Sequence, residues 1–141
     1  EAPRYVSWSR QNRSQLVRIP MVKGDNCRME LRSPDPACNP YLAIGLVLAA
    51  GLDGIEHRMV LQPPVNKNLF RPGEAEGLGL EMLPATLEEA VAIAEEGDFL
   101  HKVLPEELSR RYFAEERARC EALRAAADPA EYERIHYFNA I

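Results

Sequence analysis

The clearest alternation along the chain is Arg28-Met29-Glu30-Leu31-Arg32, which runs charged, apolar, charged, apolar, charged. In a strand, successive side chains point to opposite faces. The pattern therefore predicts a strand with Arg28, Glu30 and Arg32 on one face and Met29 and Leu31 on the other. Residues 4–9 mix Tyr5, Val6 and Trp8 with polar partners and predict a second short strand. Leu16 to Ile19 predicts a third, ended by Pro20. Lys23-Gly24-Asp25-Asn26 has turn chemistry, so residues 15–32 read as a hairpin with a long loop.

Beyond residue 33 the pattern turns helical. Asn39 is placed to cap a helix, with Pro40 at its first position, where a missing N–H costs little. Residues 40–52 are almost wholly apolar, which predicts a buried helix; Gly45 and Gly51 would let a neighbour approach closely. Residues 60–85 are rich in Pro and Gly and read as a long irregular connection. Thr86 with Glu89 forms a capping box, and Gly97 is a natural stop. Pro105 opens another helix, with Leu108, Tyr112, Phe113 and Leu123 as candidate buried positions. Asp128-Pro129 with Glu131 caps a last helix, where Tyr132, Ile135, Phe138 and Ile141 recur at helical spacing. The fold class is α+β: short antiparallel strands first, then a mainly helical part. Residues 1–33 carry the strands, 34–85 the buried helix and long loop, and 86–141 the C-terminal helices.

Composition narrows the function classes. The chain has 141 residues, 46% hydrophobic and 28% charged, with a net charge of −5. That is the size and balance of one soluble domain, and the charge argues against a nucleic-acid partner. Arg4, Arg10, Arg13, Arg18, Arg28 and Arg32 nevertheless make the N-terminal quarter locally basic, which suits a local anion site. The three cysteines, Cys27, Cys38 and Cys120, are widely spaced and read as reduced thiols of a cytoplasmic protein. His57, His101 and His136 are scattered, and no zinc-ligand spacing occurs. Gly77-Leu78-Gly79 is too sparse for a dinucleotide loop, and there is no Walker A motif. No apolar run reaches membrane-spanning length, so no membrane partner is expected. The chain opens Glu1-Ala2-Pro3 without methionine, and the expectation is a piece of a longer polypeptide.

The strand at 28–32 bears the candidate chemistry. Guanidinium forks grip phosphate or carboxylate in bidentate fashion. A carboxylate between them is a natural magnesium ligand. Such a face suits a site that holds anions and a hard cation together, and it equally suits a solvated strand face with alternating charges.

Context favours the site. Asn12-Arg13-Ser14-Gln15-Leu16-Val17-Arg18-Ile19-Pro20, then Arg28 to Pro36, then Asn39-Pro40-Tyr41-Leu42, then Gly51-Leu52-Asp53-Gly54-Ile55 follow in order at close spacing. Together they closely resemble the C-terminal part of the guanido-kinase-like catalytic domain of bacterial glutamine synthetase. The strong motifs cover residues 1 to about 68, and the helix pattern carries the resemblance onward. It implies an ATP-dependent glutamate–ammonia ligase. ATP would phosphorylate the side-chain carboxylate of L-glutamate, and ammonia would then displace phosphate from γ-glutamyl phosphate. By resemblance Glu30 binds metal, Mg2+ or Mn2+. Arg32 contacts glutamate and its transferring phosphate, and Arg13 lies near the γ-phosphate and substrate. Arg18 and Arg28 match nucleotide-side arginines. Lys23 lies in a turn where relatives can carry a phosphate-contacting lysine, although the turn here is one residue shorter. Glu1 matches the glutamate of a flap that covers the site and helps deprotonate ammonium.

The resemblance also implies a homo-oligomer, a double ring of twelve, with each site shared between two subunits. Some bacterial relatives carry an adenylylated tyrosine in the stretch resembling Asn66 to Phe70; here the position is Phe70, which has no hydroxyl to modify. The remaining metal ligands, most of the nucleotide pocket and the ammonium pocket would lie upstream, so the chain alone is expected to be inactive. Two other readings stay open: a relative that joins glutamate to a different amine, and a non-catalytic helical interaction module.

Overall fold

The computed structural model of the chain describes residues 2–138. Its elements are three two-residue strands, β1 (Trp8–Ser9), β2 (Val17–Arg18) and β3 (Glu30–Leu31), then α1 (Pro40–Glu56), α2 (Leu87–Glu96), α3 (Asp98–Val103), α4 (Glu106–Ala125) and α5 (Pro129–Glu133). The backbone divides into two units interleaved in sequence. One takes residues up to Asp35 together with Arg58–Pro84; the other takes Pro36–His57 together with the chain from Ala85 on.

In the first unit the strands form one sheet, in the order β1-β2-β3. The expected hairpin is there: β2 and β3 are antiparallel, with Val17 opposite Leu31 and Arg18 opposite Glu30. The expectation of antiparallel pairing throughout fails at β1, which runs parallel to β2 in the register Trp8 with Val17 and Ser9 with Arg18. Parallel neighbours usually need a crossover of a dozen or more residues. Here the strands are so short that the loop 10–16 suffices to bring the chain back to the start of β1. That loop is itself packed, with Ser14 and Gln15 almost fully buried.

Residues 4–9 are extended, but most of their partners come from the Pro- and Gly-rich segment. Val6 N–H donates to Glu81 O (2.8 Å), Leu83 N–H to Arg4 O (2.9 Å) and Val65 N–H to Trp8 O (2.8 Å). The connection at 60–85 is thus a structural partner of the N-terminal segment. Phe70, near its middle, keeps 37% of its surface exposed.

In the second unit the caps form as the sequence predicts. Asn39 Oδ1 accepts from Tyr41 N (3.0 Å) and Leu42 N (3.3 Å), with Pro40 at the first position of α1. Such a cap contributes about 1 kcal/mol. Thr86 Oγ1 accepts from Glu89 N at 3.1 Å, and Glu89 reaches back to Ala85 N at 2.7 Å. Gly97 ends α2 at φ −85°, so it is not there for a left-handed turn; a Cβ would sit 3.2 Å from Ile93 O. Asp128 Oδ1 caps α5 through Glu131 N at 3.1 Å. Beyond α5 the chain makes a π-helical turn over Arg134–Phe138. Ile141 of the predicted tail stripe lies outside the described residues, and Ile135 is exposed.

Two burial expectations are corrected. α1 forms and runs on to Glu56, yet none of its residues is buried. Tyr41, Ile44, Leu48, Leu52 and Ile55 are all exposed, at a spacing that sets them along one side of the helix. A Cβ on Gly45 or Gly51 would meet nothing within 4 Å. Apolar composition signals that a helix is meant to be covered, but not by which atoms, and the described residues do not cover this one. On α4 the buried face is Ser109, Phe113 and Glu116, while Leu108 and Tyr112 are exposed. Phe113 sits edge-on to His101 of α3 with centroids 6.3 Å apart. Arg117 with Glu95 and Arg124 with Glu88 tie α4 to α2.

Candidate functional site

β2 and β3 bring one acidic and two basic side chains together. In an antiparallel pair, directly opposite residues share a face. Arg18 lies opposite Glu30, and its Nη1 donates to Glu30 Oε2 at 2.8 Å. Arg28, two residues before Glu30, donates to the other oxygen from Nη2 at 3.0 Å and Nε at 3.2 Å. It also holds Asn26 O through Nη1 at 3.2 Å. The alternation in the sequence foresaw Arg28 beside Glu30. It did not foresee Arg18 joining them, because that depends on the register between two strands.

The arginines hold the Glu30 carboxyl below its ordinary pKa, Arg18 by its hydrogen bond first, against a smaller opposing effect of burial, and Arg28 after it. A depressed carboxyl contributes stability above the unfolded value of about 4.3 and loses it as pH falls through the folded pKa. The Arg18–Glu30 link is therefore expected to outlast the pH at which a free glutamate protonates and to break as pH falls through the lowered pKa. A carbon-detected NMR titration of the Glu30 carboxyl should give a midpoint below that of an unpaired glutamate. A midpoint above 4.5 would contradict the pairing.

The guanidinium groups are not used up by Glu30. Arg18 Nε and Arg32 Nη1 are buried and have no hydrogen-bond partner among the described residues. A buried donor left unmade costs about 1–3 kcal/mol. Unpaired buried donors on cations call for an acceptor, and phosphate or carboxylate oxygens are the matching ones. Arg32 continues β3, its own N–H bonded to Leu16 O at 2.9 Å.

The remaining candidates make no bond to this cluster among the described residues. Arg13 is exposed on the loop between β1 and β2, and among the described residues nothing pairs with its guanidinium. Lys23 is exposed at the start of the 3-10 turn Gly24–Asn26. Glu1 lies outside the described residues. An open cleft of about 500 Å³ is lined by Arg10, Gln11, Asn12, Met21 and Asn66, and none of Arg18, Arg28, Glu30 or Arg32 borders it. Among the described residues no three His, Cys, Asp or Glu side chains gather as metal ligands. No helix there is long and apolar enough to cross a membrane.

A set of uncharged residues proves as organised as the arginines. Ser9, Ser14 and Gln15 have at most 1% of their surface exposed. Asn12 Nδ2 and Gln15 Nε2 both donate to Lys67 O, at 2.8 and 2.9 Å. Ser14 Oγ accepts from Leu69 N at 2.8 Å, and Ser9 Oγ donates to Asn66 Oδ1 at 3.1 Å. Asn12 Oδ1 meanwhile accepts from Ser14 N at 3.0 Å, an Asx turn around Arg13. The signal available in the sequence was the Asn-x-Ser spacing, which marks such a turn; its burial was not legible.

With this geometry in view, the comparisons are decisive. The family described as the glutamine synthetase catalytic domain matches residues 1–135. The chain belongs to the glutamine synthetase family. Its sequence is 43% identical to glutamine synthetase of Methanosarcina mazei over 136 residues, 95% of this chain and 30% of that protein. It is 41% identical to glutamine synthetase of Methanocaldococcus jannaschii over 128 residues, 89% of this chain and 28% of that protein. Against glutamine synthetase of Staphylococcus aureus the figures are 37% over 139 residues, 97% and 31%. The fold matches a cryo-EM structure of Plasmodium falciparum glutamine synthetase with a TM-score of 0.71 at 19% identity, over 94% of this chain and 34% of that one. The chain thus spans about 30% of the length of the glutamine synthetases it matches in sequence. A three-stranded sheet followed by helices agrees with the α+β class read from the sequence.

Proposed function

We propose that this chain is the phosphate-handling part of a glutamate–ammonia ligase. In that reading the full-length enzyme makes L-glutamine from L-glutamate, ammonia and ATP in the cytoplasm, as a homo-oligomer of twelve subunits in two rings. The observation that carries the reading is the β2–β3 cluster, where Arg18 and Arg28 ion-pair with Glu30 while Arg18 Nε and Arg32 Nη1 stay buried without acceptors among the described residues. Phosphoryl transfer asks a protein for positioning and charge neutralisation more than for a nucleophile. The γ-carboxylate oxygen of glutamate attacks the γ-phosphorus of ATP, and ADP leaves. Ammonia then attacks the acyl carbon, phosphate leaves, and the ammonium proton is lost to a base, the role proposed for Glu1. Arg32 and Arg13 would hold the transferring phosphate and the glutamate. Arg18, Arg28 and Lys23 would hold the nucleotide's phosphates.

Magnesium or manganese fits this chain only in part. Glu30 offers one carboxylate with both oxygens bonded to arginines, and such ions need several oxygen ligands. In the full-length enzyme Glu30 would supply one ligand, with phosphate oxygens and residues outside this chain completing the set. Bound there, the ion would neutralise phosphate charge.

The test is a full-length assay with ATP, glutamate and either ammonia or a small alkylamine. Ammonia-dependent glutamine formation is expected, and Glu30→Gln should raise the magnesium concentration needed for half-maximal rate by about tenfold or more. Product formation with the alkylamine but not with ammonia would refute the amine assignment. An unchanged magnesium requirement in Glu30→Gln would remove Glu30 from the metal site.

A further inference from the structure

The uncharged network around Arg13 has no part in the reaction as set out above, yet it is hydrogen-bonded throughout and buried at Ser9, Ser14 and Gln15. Three side chains, Asn12, Ser14 and Gln15, grip one short piece of backbone, the Lys67 carbonyl and the Leu69 amide. Ser9 adds a fourth link, to the side chain of Asn66. Arg13 sits within this run, yet it is the one member of residues 12–15 that is exposed and lacks a partner among the described residues. A rigid base therefore carries a free cation. The same links tie together the two walls of the neighbouring cleft, Arg10, Gln11 and Asn12 on one side and Asn66 on the other. Nothing in this arrangement is needed to stabilise an exposed arginine. It restricts where the arginine's backbone can be.

We infer that Asn12, Ser14 and Gln15 are positioning residues: clamped on the 66–69 backbone, they hold Arg13 and the adjoining cleft in register for an anionic substrate group. The inference rests on Arg13 serving the transferring phosphate and glutamate, as proposed above. Positioning matters because misplacing a reacting or charge-stabilising group by about 1 Å can cost on the order of 100-fold in rate. The hydroxyl of Ser14 is central, since it accepts from Leu69 N while its proton bonds Asn12 Oδ1 at 2.9 Å. Removing it takes away one of the two bonds that Asn12 Oδ1 accepts and leaves the Leu69 amide without its acceptor, so the clamp loosens at both ends.

The experiment is a double-mutant cycle in the full-length enzyme, with kcat, KM and thermal midpoint measured for Arg13→Ala, Ser14→Ala and the pair. Ser14→Ala alone is expected to lower kcat by roughly 10- to 100-fold at a temperature well below its midpoint. In the Arg13→Ala background the same change should have little further effect. A role in folding alone would move the midpoint but would not vanish in that background. Asn12→Ala, at a half-buried position, carries the same cycle if Ser14→Ala does not fold. Near-normal turnover by Arg13→Ala would overturn the role of Arg13 and the positioning with it. A slow Arg13→Ala beside wild-type kcat in both Ser14→Ala and Asn12→Ala would overturn the positioning alone. Equal fold-losses in the two backgrounds would do the same, because the clamp would then be acting elsewhere.

Discussion

Arg32→Ala in the full-length enzyme is expected to lower turnover by about 100- to 1,000-fold without lowering the thermal midpoint. The rate loss follows from removing one preorganised donor to developing charge, typically about 3–4 kcal/mol of barrier. The stability result follows from a different fact. Arg32 Nη1 is buried with no partner among the described residues, so in the absence of substrate the group is a liability. Deleting it relieves a desolvation cost of about 1–3 kcal/mol, set against the lost packing of the arginine stem. Function and stability should therefore move independently, or in opposite directions. Steady-state kinetics and thermal unfolding on one preparation test this. A variant with near-normal turnover would make Arg32 part of a solvated strand face. A sharp fall in midpoint would make it a structural residue.

The second large effect concerns the 141-residue chain by itself. It is expected to form no detectable glutamine from ATP, glutamate and ammonia. One carboxylate, already bonded by two arginines, does not hold a catalytic metal, and no other set of metal ligands gathers among the described residues. The apolar side of α1 adds that the same preparation should self-associate, with Tyr41, Ile44, Leu48, Leu52 and Ile55 all exposed. Sedimentation with a glutamine assay on the same fractions reads both. Turnover above about 1 per second in any fraction would refute the account of activity.

How much of this was legible depended on whether the deciding interaction was local. Caps are local, and Asn39-Pro40, Thr86 with Glu89 and Asp128-Pro129 all do what their spacing says. Alternation over residues 28–32 is local too, and it placed Arg28 beside Glu30. The contribution of Arg18 was hidden because strand register is set by the partner strand. The parallel pairing of β1 was hidden because a packed seven-residue return does not look like a crossover. Burial was misread wherever the cover is not adjacent in sequence: α1 looked like a core helix, and Leu108 and Tyr112 looked like the inner face of α4. The clamp went unseen because Ser, Asn and Gln in a loop are ordinarily solvated, and only the return of residues 66–69 buries them.

That return has a consequence for how the chain is made. The bonds from Ser9, Asn12, Ser14 and Gln15 to the 66–69 segment close loops of 52 to 57 residues. At about 5–20 residues per second, the arginine-bearing loop would leave the ribosome roughly 3–10 s before its clamp is available. Because the waiting surface is polar, water satisfies it meanwhile and no sticky core is laid bare. The opposite holds for α1, which emerges in the same interval with its apolar side uncovered. During synthesis it is that helix, and not the unfinished polar loop, that has to be shielded from other chains.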